Sequence, residues 1–458
     1  MAPNPQAEVE MRSRRRVRAL IRGVLGVAAG AAVLGCGSKG SGTPDAIPSM
    51  DATSTAITIR AFPDGFPYTG RTENATLVAF KDGDGDGAWV ALTGTGGVYH
   101  VTATGERYSV AVGCASDLAS SVDLYYQAVS DLTDLYTDGC PSSVDTVHVS
   151  ITVQGLQADE TAEVWLGGFW DSAAAGDTIE LDVPRGAVDV FARSYVVDRD
   201  SNVAVRLYRG PTMDLEADRS LSINMAMMGK QPESHALTVT GVMSVPTAPA
   251  IVDVRSSYAT PHSQLQWPLY TQEFAAPLAT PPDQYLTLPA AMRGSDDVSN
   301  ITVFADNNFI DGTGFERYVR FAMKTPVAQT LALPEFWTAD APTLDRAPVP
   351  RATLTLPITP ATLGTSDYHA TFFGTTASGA DHAMTVFVRP GWAAGHPSAT
   401  ITTPDLSALP GWSTDQAFAS DATVSWTLEW DDRNMPYDAG NIDGKQIRGS
   451  KLFGFLGP

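Results

Sequence analysis

Cysteine, positive charge and long apolar runs are all scarce in this chain, and each scarcity excludes something. Three cysteines in 458 residues do not make a disulfide-dense scaffold, and no CxxC or Cys/His spacing of a zinc site occurs. Lysine and arginine total 30 against 51 aspartates and glutamates, a formal net charge of −21, which opposes binding to phosphate backbones and therefore any nucleic-acid partner. The apolar run at 23–35 has about 13 residues, short of the roughly 20 that a membrane-crossing helix needs. The usual catalytic signatures are missing as well. There is no G-x-S-x-G elbow, no H-E-x-x-H helix motif and no phosphate loop. Gly35 to Gly40 fits G-x-G-x-x-G, but it closes an apolar leader instead of joining a strand to a helix. The histidines are scattered, and the adjacent Asp381 and His382 point to opposite faces if they lie on a strand. No catalytic residue and no cofactor is assigned from the sequence.

What is present is a core-forming composition, 43% hydrophobic and 18% charged, with 40 glycines and 31 prolines that favour many short elements joined by turns. The length allows two to four domains.

The N-terminus reads as an address. Arg12, Arg14, Arg15, Arg16, Arg18 and Arg22 precede the apolar run, which ends in Val33-Leu34-Gly35-Cys36. A basic region followed by an apolar region is the order of an export signal, and Met11 serves as the start as well as Met1 does. This ending resembles the lipobox of bacterial lipoprotein precursors. The resemblance implies cleavage between Gly35 and Cys36, acylation of Cys36 with palmitate-type chains, and a mature protein held to a membrane by its lipid. Gly37 after the cysteine, where an aspartate favours inner-membrane retention, points by the same rules to the outer membrane; the surface and the periplasmic face both stay open. Residues 1–35 are thus expected as signal peptide and 36–55 as lipid anchor and flexible tether, the latter rich in Gly, Ser, Thr and Pro.

In an exported chain the remaining pair, Cys114 and Cys140, is expected as a disulfide closing a loop of about 25 residues, with two buried thiols as the alternative. From Ile57 onward apolar and polar residues alternate over short stretches, as in Val424, Trp426, Leu428 and Trp430, which predicts half-buried antiparallel strands. Segment 122–136 fits strand through Val122, Leu124, Tyr126 and Ala128, although a helix face also joins its apolar residues. An internal repeat appears at an offset of 80 residues. Tyr99, Val101, Ala103, Tyr108, Val110 and Val112 correspond to Ile179, Leu181, Val183, Val188, Val190 and Ala192, all apolar. Each copy resembles the carboxypeptidase-regulatory-like or transthyretin-like β-sandwich, a resemblance of pattern that implies architecture and transfers no active site. The expected fold is all-β, with tandem β-sandwich domains at 56–146 and 147–232. The C-terminal β-rich region 233–458 forms one large or two smaller domains, with proline-rich stretches at 243–290 and 331–350.

Asp82, Asp84 and Asp86, alternating with glycines, match the first half of a Ca²⁺ loop. Position 12 is Thr93 instead of Glu, so a solvated turn competes with a weak Ca²⁺ site. Similar Asp/Asn/Gly clusters occur at 306–312 and 438–444. Trp426, Trp430 and Trp165 read as buried, while Trp170, Trp392 and Trp412 sit among loop residues where indoles stack on sugars. The expectation is a lipid-anchored cell-envelope protein presenting a non-catalytic binding or scaffolding surface to an envelope or extracellular protein or polysaccharide. The alternatives are a hydrolase or lyase acting on polysaccharide through dispersed carboxylates, and a carbohydrate-binding module.

Overall fold

The alternation of apolar and polar side chains is realised as strands throughout the residues that the computed structural model describes: 54–63, 75–85, 87–115, 119–139, 145–196, 203–241, 251–262, 266–275, 283–306, 313–435 and 442–457. The fold is all-β. Its first seven strands are β1 (Thr55–Pro63), β2 (Leu77–Asp82), β3 (Val90–Ala91), β4 (Val98–Ala103), β5 (Arg107–Ala115), β6 (Ala119–Ala128) and β7 (Asp134–Gly139). β1 pairs antiparallel with β4 and parallel with β7, while β3, β2, β5 and β6 lie side by side, all antiparallel. Ile57 and Ile59 of the first sheet face Phe80, Tyr108 and Val110 of the second, which makes a sandwich. The helix pattern across 122–136 is not used, because β6 and β7 occupy that stretch.

The same order recurs. The second module contains β8 (Thr146–Gln154), β9 (Glu160–Leu166), β10 (Phe169–Ala174), β11 (Thr178–Pro184), β12 (Gly186–Val188), β13 (Val190–Val196), β14 (Ala204–Arg209), β15 (Met213–Leu215) and β16 (Arg219–Asn224). β8 pairs antiparallel with β11 and parallel with β16, and β10-β9-β13-β14 form the facing sheet. Val147, Val149, Ile151 and Val153 of β8 point inward while His148, Ser150 and Thr152 point out. The short helix α1 (Met225–Met228), capped by the Asn224 side chain, leads into the third module.

That module has β17 (Glu233–Thr240), β18 (Ile251–Ala259), β19 (Trp267–Ala275), β20 (Gln284–Thr287), β21 (Val298–Asp306), β22 (Thr313–Met323) and β23 (Gln329–Ala332). β17 takes the place of β1, antiparallel to β20 and parallel to β23. Proline-rich 243–290 therefore holds strands, and Pro268 is tolerated because β19 is an edge strand with a register shift opposite it. The fourth module has β24 (Thr343–Asp345), β25 (Arg351–Pro357), β26 (Thr365–Thr375), β27 (Asp381–Val388), the turn α2 (Pro390–Ala393), β28 (Ser398–Thr402), β29 (Val424–Arg433) and β30 (Gln446–Leu456). Here β25 pairs antiparallel with β28, and its other edge carries antiparallel β24 in place of a parallel last strand. Segment 233–458 thus contains two modules.

Three of the four modules are fused. β22 pairs antiparallel with β30, and β27 pairs parallel with β6, so the four-strand sheets of the third, fourth and first modules become one twelve-stranded sheet, β19-β18-β21-β22-β30-β29-β26-β27-β6-β5-β2-β3. The sequence-based separation of 56–146 from 233–458 does not carry over to the hydrogen bonding. The physical reason is legible in β5, RYSVAVGCA, which is apolar on both faces. Tyr108, Val110 and Val112 fill the first module's own core, whereas Ala111, with Leu77, Ala79, Leu124 and Tyr126, packs against Trp392, Leu406 and Phe418 of the fourth. The second module docks on the third through Phe191 stacked on Trp267 at 4.8 Å and an Arg209–Asp297 ion pair at 3.1 Å.

Gly449 sits where β22, β30 and β29 cross in register, opposite Tyr318 and Asp431. A Cβ there would meet the Trp430 carbonyl at 2.4 Å and the Tyr318 ring at 2.7 Å. Gly449→Ala is therefore expected to lower stability by about 1–3 kcal/mol, read as a lower midpoint in urea at unchanged slope; an unshifted midpoint would show that this crossing is not tightly packed.

Candidate functional site

Strand parity places the apolar residues of β18, β22, β29 and β26 in the sandwich cores and leaves the alternate residues on the outer face of the fused sheet. On that face the strands bring together the largest concentration of perturbed ionisable groups among the described residues. One cross-strand row reads Asp306, Glu316, Lys451, Glu429 and His369, each residue the register partner of the next. Lys451 Nζ lies 3.3 Å from Glu429 and 3.7 Å from Glu316, and 4.9 Å from the centre of the Tyr318 ring, whose hydroxyl donates to Glu429. A second group adjoins it. Arg433 lies between Asp367 at 3.0 Å and Asp431 at 2.5 Å, and Arg389 reaches Asp367 at 3.0 Å. Toward the third module Arg255 bonds Asp253 and lies over the Phe304 ring at 4.7 Å.

Burial governs the protonation of this face. It raises the Glu316 and Asp431 carboxyls, against the pull of Lys451 and Arg433 respectively, and lowers the Arg320 guanidinium. Burial also works against the Lys451 ammonium, but Glu429, Glu316 and Asp431 together hold it above its ordinary value. Asp367 resists the same desolvation because Arg389 and Arg433 hold it below the usual carboxylate range. His369 is pushed down to about 4 by burial and is neutral at neutral pH. The acids are matched by bases within the array, so it binds its own charges internally. Periodicity alone did not reveal it, since its residues come from six strands of two modules. The one local signal was the polar face of Val424 to Asp431.

A second polar cluster lies where β27 meets β6. His382, fully buried, is the register partner of Ser120, whose Oγ lies 2.7 Å from His382 Nδ1 and donates to the Asp415 carbonyl. The neighbouring Asp381 is exposed, so the adjacent pair is split between faces.

The expected site residues are placed as follows. Gly35, Cys36, Asp86 and Cys140 lie outside the described residues, while Cys114 is disulfide-bonded. Asp82 turns its carboxylate to the backbone of Thr104 and Gly105 and to the Thr104 hydroxyl, and Asp84 pairs with Arg107 at 2.7 Å. These contacts cap the turn between β4 and β5 and hold that pair of carboxylates on different partners. Among the described residues no group of three His, Cys, Asp or Glu is arranged to hold a metal ion. Asp443 accepts from the Lys324 amide at 2.8 Å. Trp165, Trp426 and Trp430 are buried and Trp170 is 53% exposed. Trp392, expected in a loop and available to sugars, is instead buried edge-on against Tyr126, because the fused sheet brings the first module over it.

No protein-family profile matches the chain, and no curated protein does. Among solved structures, a streptococcal ancillary pilin aligns over 61% of this chain and 98% of its own length, with 8% identity and a TM-score of 0.14.

Replacing Lys451 with Met leaves Glu316 and Glu429 without their common cation. A loss of about 3–5 kcal/mol in unfolding free energy is expected at neutral pH, partly recovered in Lys451→Met/Glu429→Gln; independent, additive costs in the double-mutant cycle would mean that the row is not coupled.

Proposed function

We propose that this chain is an exported protein anchored to the cell envelope by acylated Cys36, and that its β-sandwiches serve as a non-catalytic binding or scaffolding surface. The observation that carries the reading is the fusion of three sandwiches into one hydrogen-bonded sheet whose charged outer face is neutralised from within. On that face Lys451 is held by Glu429 and Glu316, and Arg433 and Arg389 are held by Asp367 and Asp431, an arrangement suited to a fixed surface more than to moving a proton. The sequence supports the remainder: the basic region, the apolar run ending at Cys36, Gly37 as the outer-membrane signal, and the tether that follows. With residues 1–35 removed, and six arginines and two glutamates with them, the formal charge goes from −21 to −25, which keeps the body away from anionic headgroups, so the lipid and not the protein surface makes the membrane contact. The partner class is an envelope or extracellular protein or polysaccharide.

One observation favours a rival. Glu316 and Glu429 converge on a single lysine, and two nearby carboxylates are the minimum for a polysaccharide hydrolase. The two readings separate experimentally. In cells fed labelled palmitate, the wild-type chain is expected to carry label and the Cys36→Ala chain none, with the latter remaining as a larger, uncleaved precursor. Label on Cys36→Ala would remove the anchor from the proposal. Protease added to intact cells then reports the face: loss of the protein places its partners outside the cell, and protection until the outer membrane is permeabilised places them in the periplasm. Release of reducing ends from envelope polysaccharide by the purified protein, abolished in Glu429→Gln, would replace the scaffold with the hydrolase.

A further inference from the structure

The parallel pairing of β27 with β6 is the strand joint between the fourth and first modules, and it runs from Asp381 opposite Ala119 to Val388 opposite Tyr126. Most of the joint is apolar. Leu124, Tyr126, Val386 and Val388 belong to the shared core, and the Tyr125 ring stacks on Phe387 at 4.9 Å. Polar residues also lie along it, Ser120, Ser121 and Asp123 of β6 and Asp381, His382 and Thr385 of β27, and His382 is the one imidazole among them. It is fully buried, and its neighbours among the described residues come from four elements. β6 contributes Ser120, and β26 contributes Gly374, its register partner. The turn Thr414–Gln416 contributes Asp415, whose carbonyl accepts from Ser120 and whose carboxylate accepts from Ser378 at 2.8 Å. The following loop contributes Phe418, whose ring stands edge-on to the imidazole at 4.7 Å. Asp381 precedes it on β27 but is exposed on the other face.

This environment selects one protonation state. The Ser120 hydroxyl hydrogen goes to the Asp415 carbonyl, so Ser120 Oγ accepts from Nδ1–H and the imidazole carries its proton on Nδ1. Nε2 is then a bare lone pair, buried without a hydrogen-bond partner among the described residues. A proton added there would place an imidazolium N–H in a site with no acceptor among the described residues, and the Asp415 carboxylate is already engaged by Ser378. The closed joint excludes the proton that an exposed histidine accepts.

We propose that the joint between the first and fourth modules is an acid-sensitive device in which protonation of His382 loosens the pairing of β6 with β27. Once the joint opens, His382 meets water and titrates as an ordinary histidine, near 6.5, whereas in the closed joint burial depresses it to about 4. The sign follows by linkage. Between these two values the open state binds one more proton than the closed state, so acidification favours opening by about tenfold per pH unit. Above about 6.5 both states are unprotonated at this site and the dependence vanishes. Below about 4 both are protonated and it levels off. The consequence of opening is the exposure of two strand edges, those of β6 and β27, which are then able to pair with another strand. The inference does not depend on the envelope reading.

The test is hydrogen exchange on the full chain from about pH 7.5 to about 4.5, comparing amides of β6 and β27 with those of β18 and β21. Protection factors at the joint are expected to be flat above about pH 6.5 and to fall about tenfold per unit below it, while those of β18 and β21 change less. In His382→Asn, which keeps a hydrogen-bonding side chain opposite Ser120 but does not titrate, the fall should disappear. His369 is retained in both proteins and is depressed by burial beside Glu429, Arg433, Asp367 and Arg389, so the difference between them reports His382 alone. Equal acid dependence in the two proteins would overturn the assignment to His382. A wild-type profile flat across the range, or parallel loss at β18 and β21, would overturn the device itself, and that measurement needs no variant.

Discussion

An unpaired strand edge leaves a row of peptide N–H and C=O groups in search of partners, and the disposal of such edges organises this molecule. Each module on its own has a four-strand sheet with two edges. The fourth module places β30 against β22 and β27 against β6, and so removes both of its own edges and one from each neighbour. Backbone pairing is insensitive to side-chain identity, so modules of divergent sequence can still be joined in this way. Side chains decide which edges meet. The apolar outer face of the first module's β2, β5 and β6 needs cover, and the core around Trp392 and Phe418 supplies it.

Fusion also explains why ionic groups are found on the outer face of the sheet. Residues that would stand in water on an isolated sandwich are brought close to many others, and the cost of removing their charges from water rises. The structure answers by pairing them: Lys451 with Glu429 and Glu316, Arg433 with Asp367 and Asp431, Arg389 with Asp367. Those pairs fix the register of β26, β29, β30 and β22 by charge, where the apolar cores fix it by shape. His382 is a different case, a buried polar group satisfied in one protonation state and unsatisfied in the other.

Much of the local structure could be read from the chain. The alternation in Val424 to Trp430 is β29, and the correspondence of Tyr99–Val112 with Ile179–Ala192 is the equivalence of β4 and β5 with β11, β12 and β13. The third and fourth copies escaped notice because the proline-rich stretches at 243–290 and 331–350 alter the spacing between corresponding strands, while strand order, which spacing does not encode, persists. Trp392 was misread for a related reason. Its neighbours Gly391 and Ala393 look like loop, and what buries it is Tyr126, distant in sequence. The charged row was invisible for the same cause, since Glu316, Glu429 and Lys451 lie on three strands far apart in sequence.

By itself the sequence determined the fold class: an acidic, all-β chain of repeated sandwiches. Those properties depend on composition, on a period of two and on residues close together along the chain, which are all local. Only the tertiary structure decided that four modules exist, that three of them form one sheet, and that Lys451, Arg433 and His382 have the partners they have. Parallel and antiparallel edges present the same backbone groups whatever the sequence, and the choice among them is made by surfaces contributed from residues hundreds of positions apart.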